Sequence, residues 1–566
     1  MPLHDLPEDI LLDIFEHLHA HDILSLRRTC RALEAATRER TVWHEALARH
    51  ARQSRLSIPA LSQADAPLAS LSASELERLT LRALRFWSNW LSPRPHAYRH
   101  IPVLPMRSIE RSRGARNLAV VFLPNVPGHV LTLTLYNDNS QERRYSFELW
   151  DVRGRGKAVY VDHHALEGLL GYAVNSARDG ACTMTITRRA STLHRCVSEA
   201  YNIEVPRVEG RTCFQLVNQF PGYRYTIGLH GSHLVATDSE QNVRVIDVNA
   251  GRLSYTLRSP IMLNDPTLRF TECQCLDIVL LDEFVLSFCK QYIFLYRISA
   301  NSSELQDADP TQEPPTLDAI ATYKWRWRID SLVAKPRREP PGLSIASSDG
   351  KWTTNPPLID ILIRFDTWFP WPVNILHHFV LAPNPSYTPS TFSSTDASTF
   401  PYILSSAPDA ESHADGPFMV HSIPSPLRIF TPSDIALGPY GTALWIDAST
   451  DTTTPSQAGD HGQRIAGKVL TLAPLPLPQA RVRPGEGPQD DQVSPGPAVL
   501  SPSASAEEVG ELSGMADPAV RGPAVSVFHV QEVEEKWNRV AVDEQGGMVA
   551  VGHVDGRVSV YSYVPE

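Results

Sequence analysis

The sequence predicts a multidomain α plus all-β chain: a short helical N-terminus, a linker helix, and a β-propeller of about seven blades interrupted by disordered insertions. Three observations predict it. Apolar residues keep helical spacing only to about residue 92. From about residue 115 the period switches to two, between Gly, Asp, Asn and Pro punctuation. One strand–turn–strand pattern then recurs at multiples of about 50 residues.

The helical part comes first. Ile10, Leu11, Ile14, Phe15 and Leu18 follow the spacing of a helical face. Pro7 suits the first helical position, and Asp5, Glu8 and Asp9 put negative charge at the positive end of the helix dipole. Asp22 is the expected N-cap of a second helix carrying Ile23, Leu26, Cys30 and Leu33. A third carries Val42, Trp43, Ala46 and Leu47. Ser72 with Glu75 forms a capping-box pattern opening a fourth, with Leu76, Leu79, Ala83, Trp87 and Trp90 on one face; Pro93 and Pro95 end it.

In the β part, Leu118–Phe122, Val130–Tyr136, Tyr145–Val152, Met184–Thr187, Leu234–Thr237, Ile278–Leu281 and Tyr292–Ile298 read as strands. Phe147–Val152, Val243–Val248, Ile293–Ile298 and Val558–Tyr563 align, and Leu234–Val248 matches Val549–Tyr563 without a gap. The aligned starts lie 96, 50 and 265 residues apart: two units, one unit, and an interval lengthened by insertions. Those insertions are Asn301–Pro315 and about Asp451–Pro523, whose Pro- and Ser-rich composition buries too little apolar area to offset chain entropy. Asn384–Ala414 is similar in composition, but Phe392, Phe400, Tyr402 and Ile403 make it a loop that packs. The predicted organisation is 1–50, a helical linker over 51–114, and the propeller over 115–566.

Composition narrows the function. A net charge of −11 and a pI near 6.0 argue against a whole-protein binder of nucleic acid or anionic membrane. Seven cysteines are too few for a disulfide scaffold and odd in number, which suits a reducing compartment. The first twenty residues lack a secretory pattern, and the most apolar stretch, Leu276–Cys289, is broken by Asp277, Asp282 and Glu283. A soluble intracellular protein, cytoplasmic or nuclear or both, is the expectation.

Residues 6 to 43 resemble the F-box family. The matching positions are Leu6-Pro7, Glu8-Asp9, the apolar run Ile10–Leu18, Asp22-Ile23-Leu24, Cys30-Arg31 and Trp43; Leu33 stands where many members carry Trp. The resemblance implies docking on the Skp adaptor of a Skp–cullin–F-box ubiquitin ligase, through Leu6, Pro7, Ile10, Leu11, Ile14, Phe15, Leu18 and Leu24. Physics points the same way. The first helix carries two adjacent apolar stripes, Ile10/Ile14/Leu18 and Leu11/Phe15/Leu12, wider than one internal core requires, which suits a partner's groove. The alternative is that Trp43 and the 76–90 helix cover the excess. The later half is similar in outline to the WD-repeat class: Trp150-Asp151 and Ile246-Asp247 sit at its Trp-Asp position, and Gly552 with Asp555-Gly556 resembles its turn. By analogy such a propeller holds a protein substrate.

No catalytic constellation is recognisable. His44 and His50 are six apart, so their rings point away from each other, whereas a zinc helix needs a spacing of four. His17, His19 and His21 read as a solvated helix end, and Cys273 with Cys275 as a buried blade pair without matching ligands. Gly154, Gly156 and Lys157 lack phosphate-loop spacing. Arg107–Arg116 and Lys335–Arg338 are basic runs, read as solvated or as a surface for acidic substrate patches. Trp325, Trp327, Trp368 and Trp371 crowd aromatics into the propeller, as core or as a binding surface. The expectation is a non-catalytic substrate receptor with no cofactor and no metal, partnered by the Skp adaptor, the cullin scaffold and a protein substrate. An adaptor-bound scaffold without a degradation role is the alternative.

Overall fold

Runs of β-branched and aromatic residues too apolar to face water on either side must be sandwiched, and the second strand of nearly every sheet is such a run. Phe284–Cys289, Ile359–Phe365 and Thr442–Ala448 are buried along their whole length. The computed structural model describes residues 6–54, 70–105, 115–137, 142–154, 156–189, 195–205, 212–238, 240, 242–259, 272–281, 283–298, 314–338, 356–366, 375–390, 392–404, 416–426, 433–448, 462–470, 525–531 and 536–565.

Among these residues the strands form seven sheets in chain order, over 116–167, 169–221, 225–258, 275–324, 329–424, 435–531 and 537–562. Each is an antiparallel four-stranded meander, the third taking one further short parallel strand, Thr316–Asp318. The innermost strands line one central channel, to which all seven sheets contribute. This is a seven-bladed propeller. The four aligned sequence segments all fall on the third strand of a blade, in the first, third, fourth and seventh.

Two strands lie where the sequence suggested none. Arg99–Val103, inside the segment read as linker, pairs antiparallel with Val558–Ser562 and supplies the outermost strand of the last blade, closing the ring. Pro102 is compatible with that position, because an edge strand needs no donor on its outer side. Gln463–Val469, inside the stretch read as disordered, is a buried strand paired with Thr442–Ala448. The disorder expected for Asp451–Pro523 is therefore corrected at that strand. Asn301–Glu313 and most of the remaining insertion lie outside the described residues. Phe400 and Tyr402 are buried and Phe392 packs beside them, so the Asn384 loop is part of the core.

Five helices precede the ring: α1 (Glu8–His17), α2 (Ala20–Arg27), α3 (Arg31–Ala36), α4 (Arg40–Ser54) and α5 (Ala73–Trp90). The single second helix expected over Ile23–Leu33 is two, because the chain turns after Arg27 and Cys30 caps α3. Asp22 lies in the first turn of α2, and His19 takes the cap position. At α5 the capping box forms as expected: Ser72 Oγ accepts from Glu75 N–H at 3.4 Å, and a Glu75 oxygen accepts from Ser72 N–H at 2.8 Å.

The C-terminal end of α5 is fixed to the ring. Trp90 packs between Phe86, Phe528 and Tyr563 at ring separations of 5.0–5.3 Å, and its Nε1–H donates to Thr442 Oγ1 at 3.2 Å. Asn89 donates to the Tyr563 carbonyl at 3.2 Å, and Val527 N–H to the Pro93 carbonyl at 2.9 Å. Gly547, at φ 60°, brings its turn against Phe86; a Cβ there would lie 2.8 Å from the Phe86 ring. Thr442 and Gly547 both belong to first-to-second-strand turns, so α5 sits on the face carrying those turns. The opposite face carries the second-to-third-strand turns and the links between blades.

Candidate partner interfaces

Which apolar side chains of the helical segment find a home within it decides what is left for a partner. Phe15 is 1% exposed and Leu11 6%, packed with Ile23, Leu33, Val42 and Trp43. Trp43 is held by its Nε1–H donating to the Thr37 carbonyl at 3.0 Å, while Thr37 Oγ1 donates to the Leu33 carbonyl at 2.7 Å. Arg27 lies 5.5 Å over the Trp43 ring and makes paired hydrogen bonds to Glu77 on α5 at 2.8 and 3.0 Å. Arg49 donates to the carbonyls of Glu16 and Leu18, tying the end of α1 to α4. Ring stacking of His19 on His50 at 5.5 Å continues that seam. Burial, helped by the Arg49 charge, pushes the His50 imidazole down to about 4, so it is neutral near pH 7.

The eight residues implied by the resemblance therefore divide. Leu11 and Phe15 point into the helical core and are not available at the surface. Ile10 is 47% exposed, Pro7 is exposed, and Leu6, Ile14, Leu18 and Leu24 are half-buried. Of the two stripes on α1, Leu11/Phe15 is covered by the protein itself, and Ile10 on the other stays open beside half-buried Ile14 and Leu18. α3 and α4, the latter carrying Trp43, cover the Leu11/Phe15 side, and Ile10 stays outside that packing.

The propeller channel encloses about 350 Å³. It opens among the first-to-second-strand turns, with Asp277, Lys335, Arg338, Asp543 and Glu544 among its lining residues. The carboxylates are engaged by backbone donors. Asp277 accepts from Ala334 and Ile278 N–H at 2.8 Å, joining the fourth blade to the fifth. Glu544 accepts from Tyr440 and Thr442 N–H at 2.7 Å, joining the seventh to the sixth. Enclosure outweighs those donors, pushing Asp277 up to about 6 and Glu544 up to about 7, and the same enclosure lowers Lys335. These groups hold blades together. Asp277 and Glu544 were missed in the sequence because nothing local marks a carboxylate as a clamp between blades.

Cys273 is buried and Cys275 half-buried, its Sγ 3.2 Å from Ser287 Oγ, opposite Cys289. Burial raises the Cys273 thiol to about 11, away from the reactive thiolate. Gly154 and Gly156 flank the turn after the third strand of the first blade. Among the described residues no three His, Cys, Asp or Glu side chains are grouped to hold a metal ion. No described helix is long and apolar enough to cross a membrane. Arg107, Arg111, Arg113, Trp368 and Trp371 lie outside the described residues.

The F-box-like family matches residues 3–49. No curated protein matches the chain. Two solved structures are similar at low scores. A chain from the structure of ctPRC2 in complex with H3K27me3 and H3K27M is similar at a TM-score of 0.41 and 12% identity, over 79% of this chain and 94% of that one. The Cps50 (Swd1) β-propeller domain of Myceliophteria thermophila is similar at a TM-score of 0.37 and 10% identity, over 80% and 97%. At these scores the likeness adds nothing to what the seven sheets establish. The chain thus joins an F-box-like domain to a seven-bladed β-propeller.

Proposed function

We propose that this protein is the substrate-recognition subunit of a Skp–cullin–F-box ubiquitin ligase. The observation that carries the reading is the partly open apolar stripe at α1, exposed Pro7 and Ile10 beside half-buried Ile14 and Leu18, lying within a segment that matches the F-box-like family. That stripe, with Leu6 and Leu24 at its margins, docks on the Skp adaptor. Leu11 and Phe15 act from inside, setting the orientation of the helix. The propeller holds a protein substrate and performs no chemistry itself, as is typical of both domain types.

The α5 connection explains how the halves would cooperate. Trp90, Asn89 and the Arg27–Glu77 pair hold the adaptor-facing helices in a fixed relation to the ring. A substrate lysine held on the ring then meets the ubiquitin-charged enzyme at raised effective concentration, and looseness in the connection would dilute that advantage.

Affinity purification from cells tests the reading. The wild-type chain brings down the Skp adaptor and cullin; Leu6→Ala with Pro7→Ala loses both while the ring keeps its thermal transition. Retention of the adaptor by the double variant overturns the docking assignment. Adaptor binding with no substrate half-life changed on deletion assigns the chain to a scaffold role instead.

A further inference from the structure

The propeller face opposite α5 carries an exposed aromatic anchor that the core does not need. Trp325 is buried, but Trp327, two residues on in the link between the fourth and fifth blades, is 51% exposed. Its indole is held rather than loose. Phe365 meets it edge-on at 5.6 Å, and Phe365 is itself backed by His377 at 5.2 Å. The guanidinium of Arg326 lies 4.7 Å over the indole ring. Ile375, 42% exposed, begins the strand that carries His377.

A second arrangement of the same kind stands on the same face. In the link between the second and third blades, Arg224 lies 5.2 Å over the exposed ring of Tyr225. Arg224 and Arg326 are both exposed, and neither has a carboxylate partner among the described residues. Two guanidiniums stacked on open aromatics, with no carboxylate partner among the described residues, leave their charge for a ligand's carboxylate. Trp, Tyr and Arg are also the side chains that dominate binding energy at protein interfaces.

We infer that this face binds an extended segment of a partner protein in which an aromatic or leucyl side chain lies within a few residues of Asp or Glu. The apolar side chain packs against the Trp327 indole and Ile375, and the carboxylate pairs with Arg326. Because Phe365 already fixes the indole, little side-chain entropy is lost on binding. Single-stranded nucleic acid, which also stacks on aromatics beside Arg, needs a continuous basic track for its successive phosphates, whereas Arg326 stands beside exposed Asp330 and the Arg328–Asp366 pair and offers one guanidinium, enough for one carboxylate. The inference rests on the propeller being the partner-holding half proposed above.

A random dodecapeptide phage library selected on the full-length chain, with counter-selection on Trp327→Ala, tests it. The expected enriched peptides carry Leu, Phe or Trp close to Asp or Glu. Their affinity by fluorescence polarisation falls about tenfold or more with Trp327→Ala or Arg326→Glu. Thermal transitions of both variants match wild type, because both side chains are at the surface. Ile10→Glu leaves peptide affinity unchanged, which separates this surface from adaptor docking. No peptide surviving counter-selection, peptides without acidic residues, or unchanged affinity in both variants overturns the inference. Binding of a uridine homopolymer that Trp327→Ala abolishes, with no peptide enriched, overturns it in favour of nucleic acid.

Discussion

The helical segment and the propeller bury apolar surface by different means, and the difference shows where partners belong. In the ring, each second strand lies between neighbouring blades, so even a run as apolar as Phe284–Cys289 is covered on both sides. The short helices have no such neighbours. Leu11, Phe15 and Trp43 exhaust the core that about 45 residues can build, and Ile10 is left 47% exposed beside Ile14 and Leu18. The stripe proposed to dock the adaptor is open because the small domain cannot cover it, whereas Trp327 on a self-sufficient ring is exposed although its blade does not require it.

The joint between the regions is where the contrast breaks most easily. Trp90 is buried among aromatics from both sides, and Trp90→Ala is expected to cost about 3–5 kcal/mol. Two-probe thermal denaturation should then show the helices melting before the sheets. A single coincident transition at the wild-type temperature would mean the joint does not couple them.

Next in size is the pH response, which sets the regions against each other. Folded His50 stays neutral down to about 4 while the unfolded chain takes up that proton near 6.5. Stability from His50 is thus full above about pH 6.5 and falls toward pH 4, by at most about 3 kcal/mol. In the ring, Glu544 and Asp277 have the opposite sign. Their folded values, raised to about 7 and about 6, favour the ring at low pH, and that share is lost as pH rises through those values. His421 and His553, lowered to about 4, give the ring an acid-side loss as well. Hydrogen exchange resolved by region should therefore show helical protection falling steadily from pH 6.5 to 4. His50→Leu should flatten that fall without altering the ring.

The smallest effect concerns the half-buried ion pair. Arg27→Ala removes the paired bonds to Glu77 and the contact over Trp43, and is expected to lower helical stability by about 1–2 kcal/mol. Chemical denaturation followed by tryptophan fluorescence measures it. No change would place the bridge among surface pairs of no consequence.

Legibility followed the same division. The repeat of third strands was readable because each is a short, fully patterned run ending in a polar turn, as at Phe147–Val152 and Val243–Val248. Gln463–Val469 was hidden because long polar and Pro-rich stretches flank it, so composition averaged over the window cancels its pattern. Arg99–Val103 was hidden because closing the ring pairs it with residues more than 450 positions away, which no local period records. On α1 both stripes were visible, but which one turns inward depends on where Trp43 lands. The parity that buries Trp325 and exposes Trp327 is likewise set by a link between blades, where strand alternation gives no guide.

The most direct test is calorimetric titration of the purified full-length chain with purified Skp adaptor, comparing wild type with Ile10→Glu. A charge placed on the open stripe should weaken adaptor binding by about a hundredfold or more, while the thermal transition of the chain moves by less than about 0.5 kcal/mol equivalent. Equal affinity for the two proteins, with the variant folded, would contradict the assignment of this stripe as the adaptor's seat.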